Sequence, residues 1–162
     1  MFGYMVRRWF NYANGDYKDF VKAMFAGNIE DMNAYLKRVV SRILGFFSME
    51  MKKDQLEAFY YSLILALMVG LGNQYEFTIF YECDIGRCDI ILESKNSSKR
   101  AFILEFKNYE MKEERGLNDT VQVALAQIEM KQYENSLIEK GIPAECIRKY
   151  GFAFGEKKVL IG

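Results

Sequence analysis

The sequence predicts an α/β domain, a mixed central sheet flanked by helices, with an all-helical extension at its N-terminal end. Three observations carry that prediction. Residues 1–72 place apolar side chains at helical spacing; at Tyr75 the composition changes to short segments rich in β-branched and aromatic residues; and a further helix is followed by two more such segments. The order is helices, β-β-β, helix, β-β. At 162 residues, 51% hydrophobic and 15% aromatic, the chain has ample material for a real core. The helical extension is assigned to 1–48 and the α/β domain to 49–162.

Each element has a local reason. Breaks fall at Asn14-Gly15-Asp16, at Gly27-Asn28 and near Ser48. Asn28 offers an N-cap oxygen with Asp31 three residues on, and Met32, Tyr35, Leu36, Val39, Val40, Ile43 and Leu44 then follow on one face of a long amphipathic helix. A second long helix is expected over 49–71, with Leu56, Tyr60, Leu63, Ile64, Leu67, Met68 and Leu71 on its apolar side and Gly70 and Gly72 near its end. Residues 58–72 are uncharged, yet at about 1.5 Å per residue they fall short of a bilayer core of roughly 30 Å, so this is a core helix. Strands are expected over 75–81, 87–94 and 100–108, joined closely enough to form an antiparallel meander. Asn118 can cap a helix that runs to about Lys140, where Gly141 and Pro143 stop it, and 150–154 and 158–161 complete the strands.

Charge and composition exclude much. Lys+Arg and Asp+Glu are 22 each, and the balance stays near zero by region: seven basic against five acidic in 1–50, nine against eleven in 51–115, six against six in 116–162. No basic lobe advertises nucleic acid, so any such contact is local or helped by a partner. The chain has no histidine, which removes Ser-His-Asp and Cys-His nucleophiles and histidine-bound zinc. Carboxylate, lysine and metal chemistry remain. Cys83, Cys88 and Cys146 are odd in number and lack C-x-x-C spacing, so they read as reduced, mostly buried thiols of a cytoplasmic protein. The N-terminus lacks the charged, apolar and small-residue order of a signal peptide.

Acidic residues stand where buried strands should have none. In Ala101-Phe102-Ile103-Leu104-Glu105-Phe106-Lys107 the period of two puts Phe102, Leu104 and Phe106 on one face and Ala101, Ile103, Glu105 and Lys107 on the other. Asp89 stands in the neighbouring apolar segment. Burying charge costs several kcal/mol unless it is paired or bound to a metal, so Asp89, Glu105 and Lys107 at the ends of adjacent strands suggest a metal site. The bland alternative is an ordinary interstrand salt bridge among the three.

Asp89 followed by Glu105-x-Lys107, in a three-strand setting after a helix, resembles the PD-(D/E)XK nuclease superfamily, with Cys88-Asp89 in place of its Pro-Asp. Gly86-Arg87-Cys88-Asp89, Ile103 to Lys107, Ala124-Leu125-Ala126-Gln127-Ile128 and Tyr150-Gly151-Phe152-Ala153-Phe154 together resemble the domain found C-terminal to an AAA-ATPase-like domain in many bacterial proteins, and the helices of 16–44 resemble the segment preceding its nuclease core. The resemblance implies a restriction-endonuclease-like core and Mg²⁺-dependent hydrolysis of DNA phosphodiesters, with Mn²⁺ as a possible substitute. It also implies an ATPase-like partner domain in a longer protein, since no G-x-x-x-x-G-K-[ST] phosphate loop occurs here. Asp89 and Glu105, with the Phe106 carbonyl, would ligate the metal; Lys107 would orient or deprotonate the attacking water.

Further residues carry paired readings. Glu57 is a further metal ligand or a solvated residue complementing the helix dipole. Gln127, polar in an apolar turn, reaches the catalytic site or a phosphate; related nucleases carry Q-x-x-x-Y, whereas here position 131 is Lys and the nearest tyrosine is Tyr133. Lys131, one turn from Gln127 on the same face, and Arg87 are nucleic-acid contacts, with pairing to a neighbouring acid the alternative for Arg87. Glu82 and Asp84 read as a solvated strand end or as an enlargement of the metal cluster, and Lys112, Glu113, Glu114 and Arg115 as an exposed charged loop or one that moves over substrate. Two rival functions stand beside the nuclease: a non-catalytic nucleic-acid- or protein-binding module that keeps the fold, and an interaction domain presenting Phe46, Phe47, Met49 and Met51. Oligomeric state is open at this level.

Overall fold

A computed structural model describes residues 16–45, 52–82, 87–96, 99–109, 115–155 and 158–162. The chain divides into two compact units, Met1–Val69 and Gly70–Gly162. Phe46, Phe47, Met49, Met51, the Asn14-Gly15 break, Cys83, Asp84, Gly86 and 112–114 lie outside the described residues.

The first unit is helical: α1 (Asp16–Ala26), α2 (Ile29–Leu44) and α3 (Lys53–Val69). Gly27 turns the chain in the left-handed region (φ 73°), and the Asn28 side chain accepts from the Asp31 N–H at 3.1 Å while donating to the Asp31 carboxylate at 2.7 Å. That reciprocal cap satisfies a backbone donor which has no partner inside the helix. Phe20 and Met24 on α1 and Met32, Tyr35 and Leu36 on α2 are buried, the Phe20 and Tyr35 rings 5.2 Å apart, so the two helices form an antiparallel hairpin about one apolar seam. At the start of α3 the Lys52 N–H donates to the Gln55 side chain at 2.9 Å. Phe59, Tyr60, Leu63, Ile64 and Met68 are buried along it. No helix among the described residues is long and apolar enough to cross a membrane.

The second unit is a five-stranded mixed sheet: β1 (Tyr75–Glu82), β2 (Arg87–Ser94), β3 (Ala101–Asn108), β4 (Ile147–Gly155) and β5 (Lys158–Ile161), adjacent in that order. β1, β2 and β3 form the expected antiparallel meander; β4 joins β3 in parallel and β5 returns antiparallel. A parallel neighbour requires a crossover, supplied here by α4 (Leu117–Lys131) and α5 (Tyr133–Glu139). One sheet face gathers Ile91, Ala101, Ile103 and Ile147 against Ile128 of α4, Leu137 of α5 and Ile142. The opposite face is built of Ile90, Leu92, Phe102, Leu104, Phe106, Phe152 and Phe154, all buried, with the Phe106 ring 4.7 Å from Phe152.

Three expectations need correction. The helix expected as one piece from Asn118 to about Lys140 is broken at Gln132, whose backbone is left-handed (φ 54°, ψ 28°). Gly116 holds the N-cap position in place of Asn118, and the Asp119 carboxylate reaches back to the Arg115 N–H at 3.0 Å. Tertiary contacts explain the break: Lys149 on β4 binds Glu129 at 2.7 Å before it and Glu134 at 2.5 Å after it, pinning both segments to one strand. β4 also begins at Ile147 rather than at Tyr150, because Ile147 to Lys149 pair with Ala101 to Ile103. Gly141 ends α5 as expected, at φ 90° with its N–H on the Ile138 carbonyl at 2.8 Å.

Candidate active site

Strand register assembles the centre. Across four neighbouring strands one row reads Phe80, Asp89, Glu105, Gly151, each residue directly opposite the next. Paired residues project to the same side of a sheet, so the two carboxylates face α4 together. Asp89 is 2% exposed and Glu105 is fully buried.

Gly151 admits the helix. A Cβ there would stand 3.0 Å from the Val121 carbonyl oxygen and 3.2 Å from the Ala124 Cβ, so any larger residue would press α4 away from β4 by a few tenths of an ångström. Val121, Ala124 and Ile128 form the buried stripe of α4, and Lys131 continues it three residues on. Its ammonium donates to Asp89 Oδ2 at 2.5 Å and lies 3.3 and 3.4 Å from the two Glu105 oxygens. The Tyr133 hydroxyl donates to the same Asp89 Oδ2 at 2.8 Å, and its ring stacks on Phe80 with centroids 5.2 Å apart. The left-handed step at Gln132 explains how two residues separated by two positions both reach Asp89: in a continuous helix they would point about 200° apart.

Two acids and one ammonium share too little positive charge for both acids to ionise freely. Burial, then a hydrogen bond and charge repulsion from Asp89, push Glu105 up to about 8 against the pull of Lys131. Burial also acts upward on Asp89, but hydrogen bonds from Glu105, Lys131 and Tyr133 outweigh it and hold Asp89 below the usual carboxylate value. Burial acts downward on Lys131, yet Asp89 and Glu105 raise it above the ordinary lysine value. At neutral pH the pair is therefore one carboxylate and one carboxylic acid, tied to an ammonium.

The residues singled out from sequence fall as follows. Lys107 is buried on β3, two residues beyond Glu105 on its face and opposite Ala153. Phe106, between them, turns its ring to the apolar face. Gln127 is half-buried one turn before Lys131. Arg87 opens β2 and Glu57 is the fifth residue of α3; the side chains of both lie outside the described residues, as does that of Glu82. Cys146 is a half-buried free thiol. Sequence reasoning gave no role at the acids to Tyr133; its signal was the tyrosine displaced by two positions from Q-x-x-x-Y.

The donor set suits a hard divalent cation. Asp89 and Glu105 offer carboxylate oxygens from rigid central strands, and among the described residues no hydrogen bond reaches Asp89 Oδ1, which is shut from solvent. Among the described residues no group of three or more Asp, Glu or Cys side chains gathers, so these two acids are the side-chain core of the candidate site.

The model of the PD-(D/E)XK nuclease superfamily matches residues 55–162. The chain belongs to this superfamily. The match takes in β1 to β5, α4, α5 and both acids, so the row of Asp89 and Glu105 on the meander lies inside a PD-(D/E)XK nuclease domain. No curated protein matches the chain.

Proposed function

We propose that this PD-(D/E)XK domain is a Mg²⁺-dependent nuclease hydrolysing DNA phosphodiester bonds, with Mn²⁺ able to substitute. The observation that carries the reading is the direct pairing of Asp89 with Glu105 on adjacent central strands, both withdrawn from solvent and facing one way. A divalent ion, when bound, would supply Lewis-acid stabilisation of charge growing on the attacked phosphate and the leaving oxygen. Asp89 and Glu105, with the Phe106 carbonyl as a further oxygen donor, would hold it. Lys107 takes or positions a proton of the attacking water and offsets charge in the transition state. Gln127 orients water or phosphate, and Arg87 and Lys131 meet backbone phosphates near the cleaved bond. In the same reading the substrate is delivered by an ATPase-like domain of a longer protein, which fits a chain whose 22 basic and 22 acidic residues leave no basic lobe.

Cleavage of single- and double-stranded DNA with Mg²⁺ or Mn²⁺, run beside Lys107→Ala, tests this. The variant should keep its circular dichroism spectrum and lose cleavage by about a hundredfold or more. Equal residual activity in both proteins would point to a contaminant and overturn the reading. One observation favours a second reading, a binding module without catalysis: the Lys131 ammonium already balances the acids. Metal-dependent cleavage that Asp89→Ala abolishes excludes it.

A further inference from the structure

We propose that Lys131 is a resident counter-cation that sets the metal affinity of the Asp89–Glu105 pair and must withdraw its ammonium before a divalent ion can bind. The inference rests on the reading of those two carboxylates as metal ligands.

The geometry is that of competition for the same atoms. Lys131 Nζ touches Asp89 Oδ2 at 2.5 Å and both Glu105 oxygens at 3.3 and 3.4 Å, so one ammonium engages three of the pair's four oxygens. A hard cation needs those oxygens. Charge counting agrees: even after Glu105 gives up its proton, an arriving dication with the ammonium in place would set three positive charges against two negative ones around two acids withdrawn from solvent, where like charges repel far more strongly than in solution. One cation must leave, and the structure shows which can. The acids stand on central strands with side chains 3% and 0% exposed, whereas the Lys131 side chain is 25% exposed on the last residue of α4. Its unbranched stem can swing the ammonium outward without moving the helix. Held inward it neutralises buried charge; turned outward it stands beside the site as a free cation for a phosphate. Tyr133 keeps its hydroxyl on Asp89 Oδ2 at 2.8 Å, which holds that carboxylate in orientation when the ammonium is gone.

Calorimetric titration of the full chain with MnCl₂, without nucleic acid, compares the wild type with Lys131→Met, which keeps the stem and removes the charge. The variant is expected to bind Mn²⁺ at least about tenfold more tightly and to melt at lower temperature without metal. A lysine that merely held the site together would give the opposite sign on removal. Equal or weaker binding by the variant therefore overturns the inference while leaving the metal reading intact, and no Mn²⁺ binding by either protein overturns both. Should the variant not fold, amine acetylation of the wild type read by mass spectrometry decides the matter. Labelling of Lys131 should rise with Mn²⁺ while that of Lys140 and Lys158 stays constant; unchanged labelling of Lys131 at saturating metal overturns the proposal.

Discussion

The two faces of the sheet are made by the same strands and serve opposite ends. On one, Ile90, Leu92, Phe102, Leu104, Phe106, Phe152 and Phe154 are buried around Tyr150, with Arg148 at the exposed start of β4; on the other, Asp89, Glu105, Lys107 and Lys149 stand among Ile91, Ala101, Ile103, Gly151 and Ala153. Glu105 and Phe106 are neighbours in sequence and stand on opposite sides of one strand. Because the side-chain period is two, a strand can bury a hydrophobic core and present chemistry at once, with neither set of residues displacing the other. The apolar face sets stability. The polar face stores charge that is unfavourable for folding unless it is paired.

If that division holds, pH should act through the polar face alone, and there the largest change is expected. Glu105 is raised to about 8 from an ordinary carboxyl value of 4.5, so the folded state binds this proton more tightly than the unfolded one. Its contribution to stability is full below pH 4.5 and is lost as pH rises through about 8. Asp89 runs the other way: lowered from 3.8, it contributes above that value and loses its contribution as pH falls through the folded-state value. Urea denaturation of the metal-free protein should therefore show stability falling from pH 5 toward pH 8, and Glu105→Gln should flatten the fall. A wild-type profile that is level over this window would break the comparison.

Next in size is a change confined to the apolar face. Phe152→Ala removes a fully buried ring that packs against Phe106 and should cost about 3–5 kcal/mol in the same denaturation experiment, without altering the pH slope. A loss below 1 kcal/mol would mean that this face does not set stability. Smaller again is Gly151→Ala, whose new methyl meets the Val121 carbonyl and the Ala124 Cβ and should cost roughly 1–3 kcal/mol. This variant sharpens the comparison, since it moves α4 and with it Lys131: on the proposed function, DNA cleavage should fall by more than the loss of folded protein accounts for, and a purely proportional loss would separate the helix position from the site.

Much of this was readable without coordinates, for a physical reason in each case. The meander, the Asn28 cap and the Gly141 stop are set by neighbours a few residues away, so local chemistry suffices to read them. The shared face of Glu105 and Lys107 follows from strand geometry. The sequence expected Asp89, Glu105 and Lys107 to converge on one metal site and Lys131 to contact phosphate; what it did not offer is the Lys131 ammonium on Asp89, 42 residues away in the chain, and on Glu105, 26 residues away.

What the sequence determined by itself was the order of elements and the face on which each acid stands, because periodicity and turn chemistry are local properties of the chain. The tertiary structure alone decided that Asp89 and Glu105 stand opposite one another, that Gly151 admits α4, and that a left-handed Gln132, its flanks pinned by Lys149, brings Lys131 and Tyr133 to the same carboxylate oxygen. Strand register and a helix break are settled by contacts between distant segments, which no short window of residues contains.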